Sequence, residues 1–228
     1  MQIKNIMLII LAVFMSACKQ DFSNHLIAID SSKSTGISKL PSFEKVLVQA
    51  NEGDRVVIMP IHGRTASAVS IIDKIIPECE DINCDKTISK VFDKIIKKTQ
   101  DSFKNGSINS NVRLKTSILP IFSKMRRMES ASKFQLVIIS DMIEDNSSLN
   151  FSNQFPHLNK SDVKELALEK YNEWKDEIDI NERKITILIP GTQSGSRNYN
   201  DEFHRKVMLF WETFIKEAGG IIEVGYLS

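Results

Sequence analysis

The stretch LIAIDSSKSTG, residues 26–36, joins an apolar run to a polar turn. Four apolar residues lead to Asp30, and Ser32 and Ser34 follow in alternation before a glycine. A short apolar run bounded by turn residues is typical of a buried strand. Polar side chains that follow such a strand lie at its carboxyl end, where open parallel sheets form their binding crevices. The stretch therefore predicts a central strand that carries one carboxylate and two hydroxyls to a functional edge.

Length and composition favour one globular domain. The chain has 228 residues, of which 42% are hydrophobic and 26% charged, close to the average of folded proteins. The formal net charge is +1, and the basic clusters at residues 94–98 and 124–127 are short. Both clusters lie in helical patterns and predict solvated helix faces. We therefore expect no nucleic-acid partner.

The first residues, MQIKNIMLIILAVFMSAC, have the layout of an export signal. Lys4 gives a charged start, and the apolar core of residues 6–15 is too short to span a bilayer comfortably. The small residues before Cys18 resemble the lipobox of bacterial lipoproteins, although Met15 stands where leucine is usual. The resemblance implies that residues 1–17 are a signal peptide and that the Cys18 thiol carries a lipid. An ordinary signal peptide and an uncleaved anchor are the alternatives.

The same interpretation sets the expected domain limits and location. Residues 18–25 would form a short lipid-anchored tether, and residues 26–228 would form a single domain. The lipid would hold this domain at a membrane of the bacterial cell envelope. Lys19, rather than aspartate, follows the cysteine. By resemblance to known lipoprotein sorting, this favours the outer membrane.

Two further cysteines, Cys79 and Cys84, lie in the stretch PECEDINCD. Export places them in an oxidising compartment, where cysteine pairs tend to form disulfides. A bridge across four intervening residues is geometrically possible. A metal site would need two more Cys or His ligands, and none lies in this stretch. We expect a disulfide between Cys79 and Cys84, with free thiols as the alternative.

Apolar periodicity predicts alternating strands and helices along the chain. The predicted strands are residues 26–29, 55–62, 67–76, 134–140, 184–189 and 221–226. The predicted helices are residues 37–50, 85–104, a segment that opens at or near Thr116, 161–175 with Ser161 as its expected cap, and 201–218. This alternation is typical of an α/β fold. We expect a Rossmann-like, mainly parallel central sheet with helices on both faces.

The segment that follows the predicted strand at residues 134–140 is polar. Residues 144–160 predict a long loop with Phe151 and Phe155 as its anchors. Glu144 and Asp145 predict a solvated acidic turn, with assistance to a metal-binding loop as the alternative.

A second aspartate, Asp141, ends the apolar run FQLVIIS, and Thr116 stands between a polar loop and a helix. The order Asp30-x-Ser32-x-Ser34, Thr116 and Asp141 resembles the metal-ion-dependent adhesion site of von Willebrand factor A-type (vWA) domains. The resemblance covers nearly all of the mature chain. It implies that the three hydroxyls bind a divalent cation, Mg²⁺ or Mn²⁺, and that the two aspartates act mostly through ordered waters.

The chemistry of this donor set agrees with the resemblance. Hard cations take oxygen ligands and retain waters. Hydroxyl-rich ligation leaves the ion electrophilic, so that a carboxylate from a partner protein could complete its coordination. Met142 departs from the family, which often has glycine after the aspartate. Taken singly, Asp-x-Ser-x-Ser is typical of a turn or helix cap, and Thr116 of an N-cap.

The expected function is that of a binding module rather than an enzyme: an exported, lipid-anchored domain that engages a protein through a divalent cation. A metal-free structural component of an envelope assembly is the first alternative. A metal-dependent phosphoester hydrolase is the second. In aspartyl-phosphate enzymes a second aspartate stands two residues after the first, and here that position is Ser32.

Overall fold

The three-dimensional structure, a computed structural model, describes residues 22–30, 50–62, 65, 68–78, 84–104, 116–128, 133–190 and 202–227. The predicted signal peptide, most of the predicted helix at residues 37–50, and Cys18, Ser32, Ser34 and Cys79 lie outside the described residues. Cys84 is the first residue of a helix, but its side chain is not among those described. The predicted disulfide therefore stays a prediction.

A six-stranded sheet forms the centre of the described structure. Its strands are β1 (Ser23–Asp30), β2 (Arg55–Ile61), β3 (Ile72–Ile75), β4 (Lys133–Ile139), β5 (Lys184–Pro190) and β6 (Ile221–Leu227). The order across the sheet is β3-β2-β1-β4-β5-β6, and only the β2–β3 pair is antiparallel. The order reverses between β1 and β4, which is the switch point where doubly wound sheets bind ligands. The predicted α/β, Rossmann-like fold is confirmed.

Helices cover both faces of the sheet. They are α1 (Cys84–Lys104), α2 (Leu119–Arg127), α3 (Phe151–Gln154), α4 (Lys160–Trp174) and α5 (Glu202–Glu217), with a 3₁₀ turn at Phe155–His157. Successive residues of β1 point to opposite faces. Leu26 therefore belongs to the apolar cluster formed with α2, α4 and α5, whereas Ile27 belongs to the cluster formed with α1. No helix in the described ranges is long and apolar enough to cross a membrane.

The segment predicted as a long loop after β4 is only partly irregular. Its predicted anchors are confirmed, because Phe151 and Phe155 are buried and their rings stack with centroids 4.1 Å apart. These residues begin the short helix α3 and the 3₁₀ turn instead of standing in a loop. The expected cap Ser161 is wrong: Asn159 caps α4 and Asp162 completes a capping box.

The third predicted strand is real but short. β3 has four residues and pairs with Arg55–Ile58 of β2. Pro60 therefore lies beyond the paired part of β2, where its missing N–H removes no hydrogen bond to β3. An exposed ion pair between Arg55 and Asp73 joins the two strands, with two N···O distances of 2.8 Å.

At the amino end of the sheet, the buried carboxylate of Asp54 ties β1 to the turn before β2. It accepts hydrogen bonds from the backbone N–H groups of Ser23 at 2.7 Å and Asn51 at 2.8 Å, and the His25 ring nitrogen Nε2 lies 3.0 Å away. Burial by itself would raise the pKa of Asp54, but these three partners hold it below its ordinary value. The Asp54 carboxyl group is therefore ionised, and its hydrogen bonds hold the start of β1 against the turn before β2.

Candidate metal centre

Asp30 and Asp141 stand at the carboxyl ends of adjacent strands. Asp30 is the last residue of β1, Asp141 is the second residue after β4, and both side chains are buried. Ser140 joins the two strand ends, because its hydroxyl donates a hydrogen bond to Asp30 Oδ2 at 2.7 Å. The two predicted aspartates therefore flank the switch point of the sheet.

The turn after Asp141 is conformationally strained. Met142 has φ of 61°, in the left-handed region that costs a residue with a side chain about 1–2 kcal/mol. Its N–H donates to Ser140 Oγ at 2.9 Å, and its carbonyl accepts from Trp211 Nε1 at 2.7 Å. Asp141 Oδ1 accepts from the Ile143 N–H at 3.1 Å. Methionine thus occupies a conformation that favours glycine, and hydrogen bonds on both sides hold it there.

Two backbone hydrogen bonds join Thr116 to the loop that follows Asp141. Its N–H donates to the Asp145 carbonyl at 3.2 Å, and the Asp145 N–H donates back at 3.0 Å. The helix predicted to open at or near Thr116 is present as α2, but it begins at Leu119, so Thr116 itself neither opens nor caps it. The segment that carries Thr116 is instead positioned by the loop that follows Asp141.

Glu144 supplies the missing cap of α2. It is 0% exposed, so the predicted solvated acidic turn is wrong. Its Oε2 accepts from the Ile118 N–H at 2.7 Å. Burial raises the pKa of Glu144 to about 8, and hydrogen bonds from Ile118, Ser117, Leu119 and Asn146 offset only part of that rise. At neutral pH this side chain is therefore mostly protonated while it fixes the start of α2.

Sequence reasoning missed the roles of Ser140 and Glu144. A signal was present for Ser140, a hydroxyl directly before the strand-ending Asp141. For Glu144 the two apolar predecessors, Met142 and Ile143, were a weak local signal, but its partner Ile118 lies 26 residues away in the sequence. Each residue positions a part of the candidate site.

The donors fit a hard cation only when hydroxyls join the carboxylates. In the part of the chain that the structure describes, no three His, Cys, Asp or Glu side chains group so as to hold a metal ion. Asp30 and Asp141 contribute carboxylates, and Thr116 is the described hydroxyl donor of the predicted set. All three offer oxygen, the donor atom that Mg²⁺ prefers. The remaining predicted donors, Ser32 and Ser34, lie outside the described residues.

Two comparisons with known proteins found no match. No protein-family model matches the chain, and no curated protein matches it in sequence. Functional inference therefore rests on the fold and on the geometry at the carboxyl ends of β1 and β4.

Proposed function

We propose that the protein is a binding module that holds Mg²⁺ or Mn²⁺ at the switch point and engages a protein partner there. The observation that carries the proposal is the Ser140 hydrogen bond to Asp30, which couples the ends of β1 and β4. Asp30 and Asp141 would position ordered waters, and Thr116 would offer its hydroxyl together with Ser32 and Ser34. When bound, the cation supplies an electrophilic position for a carboxylate of the partner.

The environment of Asp30 favours binding over hydrolysis. A phosphoester hydrolase needs a nucleophile or base beside its metal ion. Asp30 is the strand-end candidate for that part, yet it is buried and its Oδ2 already accepts the Ser140 hydroxyl. A carboxylate held in this way is better suited to positioning a ligand than to attacking one.

Cation binding is tested first on the full chain, reconstituted in phosphatidylcholine nanodiscs because of its apolar N-terminal segment. Mn²⁺ binding is followed by electron paramagnetic resonance, and Mg²⁺ by competition. We expect Asp30→Asn to weaken binding about 100-fold, the upper end for groups that act through a metal's waters. Asp54→Asn changes a buried carboxylate at the opposite end of the sheet and is the matched control.

Two results would remove the metal from the proposal. One is equal Mn²⁺ affinity in the wild type and in Asp30→Asn, and the other is no binding to either. The second result would leave the metal-free structural component as the better interpretation. Circular dichroism of each variant separates loss of a ligand from loss of the fold.

The partner is sought by affinity capture with and without a chelator. We expect capture to stop when the chelator removes divalent cations and to return when Mg²⁺ is restored. Thr116→Val should lose capture as well. Thr99→Val, which removes a buried hydroxyl from α1, should keep it. Capture that persists in the chelator would contradict a cation-mediated contact.

We propose that Cys18 carries a lipid anchor in the bacterial cell envelope, with the outer membrane as the favoured site. Incorporation of an alkyne-labelled fatty acid tests the anchor. The wild type should carry the label in the membrane fraction, whereas Cys18→Ser should lose both the label and the membrane association. Label that survives in Cys18→Ser would place the modification elsewhere.

A further inference from the structure

β6 forms one edge of the sheet, and no described strand pairs with its outer side. Ile221, Val224 and Tyr226 are 56%, 41% and 66% exposed, and they are three of the seven exposed large apolar side chains among the described residues. Proteins usually block such an edge with a charge, a proline or a short strand, because it is a template for pairing. β6 has seven residues and contains no lysine, arginine or proline.

The other edge of the sheet shows such protection. β3 has only four residues, and two of them, Asp73 and Lys74, are charged. In β6 the one charged side chain, Glu223, pairs with Lys184 of β5 at 2.9 Å. Within the described residues the β6 edge is thus long, apolar and unpaired, whereas the β3 edge is short and charged.

A groove of about 450 Å³ runs beside this edge, between α5 and β6. Alternation along the strand places Ile222, Val224 and Tyr226 on the α5 face. Ile222 packs against the core, whereas Val224 and Tyr226 line the groove together with Met208 and Leu209 of α5. The groove can therefore receive apolar side chains from a strand that pairs with β6.

Cationic side chains line one end of the groove. They are Lys160 and Arg205, and His204 and a single acid, Glu212, line the groove with them. Neither Lys160 nor Arg205 forms an ion pair with a described acidic side chain. Because α5 connects two parallel strands, it runs antiparallel to them, and its first turn with Arg205 lies at the Tyr226 end of β6. The charge complement of this end is a carboxylate.

We propose that β6 and its groove bind an extended, acidic segment of a partner protein, which adds to the sheet as a further strand. Every second side chain of the segment faces the groove. Apolar side chains would contact Val224, and a carboxylate two residues away would lie by Arg205 and Lys160. A second copy of this chain fits less well, because the one acid of β6, Glu223, lies on the face opposite the groove and pairs with Lys184. The surface is separate from the candidate metal centre.

The test selects peptides from a random display library on the full chain in nanodiscs, with empty nanodiscs for counter-selection. Peptides match the seven residues of β6 in length. We expect enrichment of sequences that alternate apolar residues and carry an acid in the same alternation. Fluorescence anisotropy of the selected peptides should show about tenfold weaker binding to Val224→Lys and to Arg205→Glu. A chelator should leave their binding unchanged.

The matched control is Ile75→Lys, which places the same charge at an exposed apolar position on the β3 edge, where Ile75 is 66% exposed against 41% for Val224. It should bind the selected peptides as the wild type does. Arg205 is exposed on α5, so Arg205→Glu is the decisive variant if Val224→Lys melts at a lower temperature than the wild type. The proposal is overturned by no enrichment, by enrichment of basic peptides, or by selected peptides that bind both variants normally. It is equally overturned by a wild-type dimer in sedimentation that Val224→Lys dissociates, or by binding that the chelator abolishes.

Discussion

The two ends of the sheet each bury a carboxyl group, and the two groups behave in opposite ways. At the amino end, Asp54 joins the start of β1 to the turn before β2, and its pKa lies below the ordinary value. At the carboxyl end, Glu144 caps α2 beside the candidate metal centre, and its pKa is raised to about 8. Burial penalises the charge of both groups, so the difference comes from their partners.

Asp54 has a basic partner, His25, as well as two backbone N–H donors. Among the partners that influence the pKa of Glu144 there are N–H donors, a hydroxyl and an amide, and none of them is cationic. Hydrogen bonds alone leave burial as the larger influence on Glu144. One end of the sheet is thus fixed by a charge, and the other by a neutral acid.

The largest expected effect is the pH dependence that Glu144 imposes. The pKa of Glu144 has its ordinary value of 4.5 in the unfolded chain and is about 8 in the folded protein. Its contribution to the free energy of unfolding is therefore complete below pH 4.5 and is lost as the pH rises through 8. Between these values the free energy of unfolding should fall by up to about 1.4 kcal/mol per pH unit. Glu144→Gln should remove this slope. Urea unfolding at stepped pH, in chelator, measures it for both proteins, and equal slopes would contradict a raised pKa.

Asp54→Ala should have the next largest effect. It leaves the N–H groups of Ser23 and Asn51 and the ring of His25 without their buried acceptor, which should lower the free energy of unfolding by about 3 kcal/mol. The pH dependence has the opposite sign to that of Glu144. The contribution of Asp54 is present above its ordinary pKa of 3.8 and is lost as the pH falls through its lower folded value.

The Asp54→Ala measurement is urea unfolding at neutral pH, together with Mn²⁺ titration of the folded protein. Mn²⁺ affinity should stay at the wild-type value, since Asp54 lies at the other end of the sheet. If Asp54→Ala stayed folded but lost Mn²⁺ affinity, the amino end of the sheet could not be purely structural and the binding site could not be confined to the carboxyl end.

Ser140→Ala should have a smaller effect on stability and a specific effect on the candidate site. Loss of its hydroxyl leaves Asp30 Oδ2 and the Met142 N–H without this partner, at about 1–2 kcal/mol. Cation affinity should fall about tenfold, as for other groups that orient metal ligands. Thr99→Val removes a buried hydroxyl that donates to the Ile95 carbonyl at 2.8 Å in α1. It should leave Mn²⁺ affinity unchanged, and equal losses in the two variants would count against a positioning role.

The smallest effect is expected from Asp73→Asn on the exposed β3 edge. The hydrogen bond from Arg55 lowers the pKa of Asp73, but its side chain is 48% exposed. Exposed ion pairs contribute less than about 1 kcal/mol and are screened by salt. In low and in high salt, the melting temperature of Asp73→Asn should differ from that of the wild type by less than the melting temperature of Asp54→Ala does. If Asp73→Asn lowered the melting temperature as much as Asp54→Ala does, burial would not explain why Asp54 contributes more stability than Asp73.

The sheet and the positions of the two strand-ending aspartates were predictable, because they depend on local patterns. Apolar runs that end in Asp30 and Asp141 mark the ends of β1 and β4 whatever the rest of the chain does. The burial of Glu144 was not predictable in this way, because its partner Ile118 lies 26 residues away. The same holds for Thr116, whose helix-opening pattern is overridden by its two backbone bonds to Asp145.

Helix ends gave a different kind of error. Asn159 and Ser161 are both good caps, and the local signal that ranks them is the residue three positions later, Asp162 after Asn159 and Lys164 after Ser161. The structure uses Asn159 because Asp162, three residues later, bonds back to its N–H and completes a capping box. A reciprocal pair of hydrogen bonds decides between two adequate capping residues.

The early start of β1 has a consequence for the approach of partners. β1 begins at Ser23, the fifth residue after Cys18, and five residues span at most about 17 Å. On the proposed lipidation, the amino end of the sheet would be held close to the membrane. Seven residue steps along β1 then separate Asp30 from Ser23 by about 23 Å. If β1 points away from the membrane, a partner in the same membrane would have to extend past the domain to reach the candidate metal centre, whereas one from the aqueous side would meet it first.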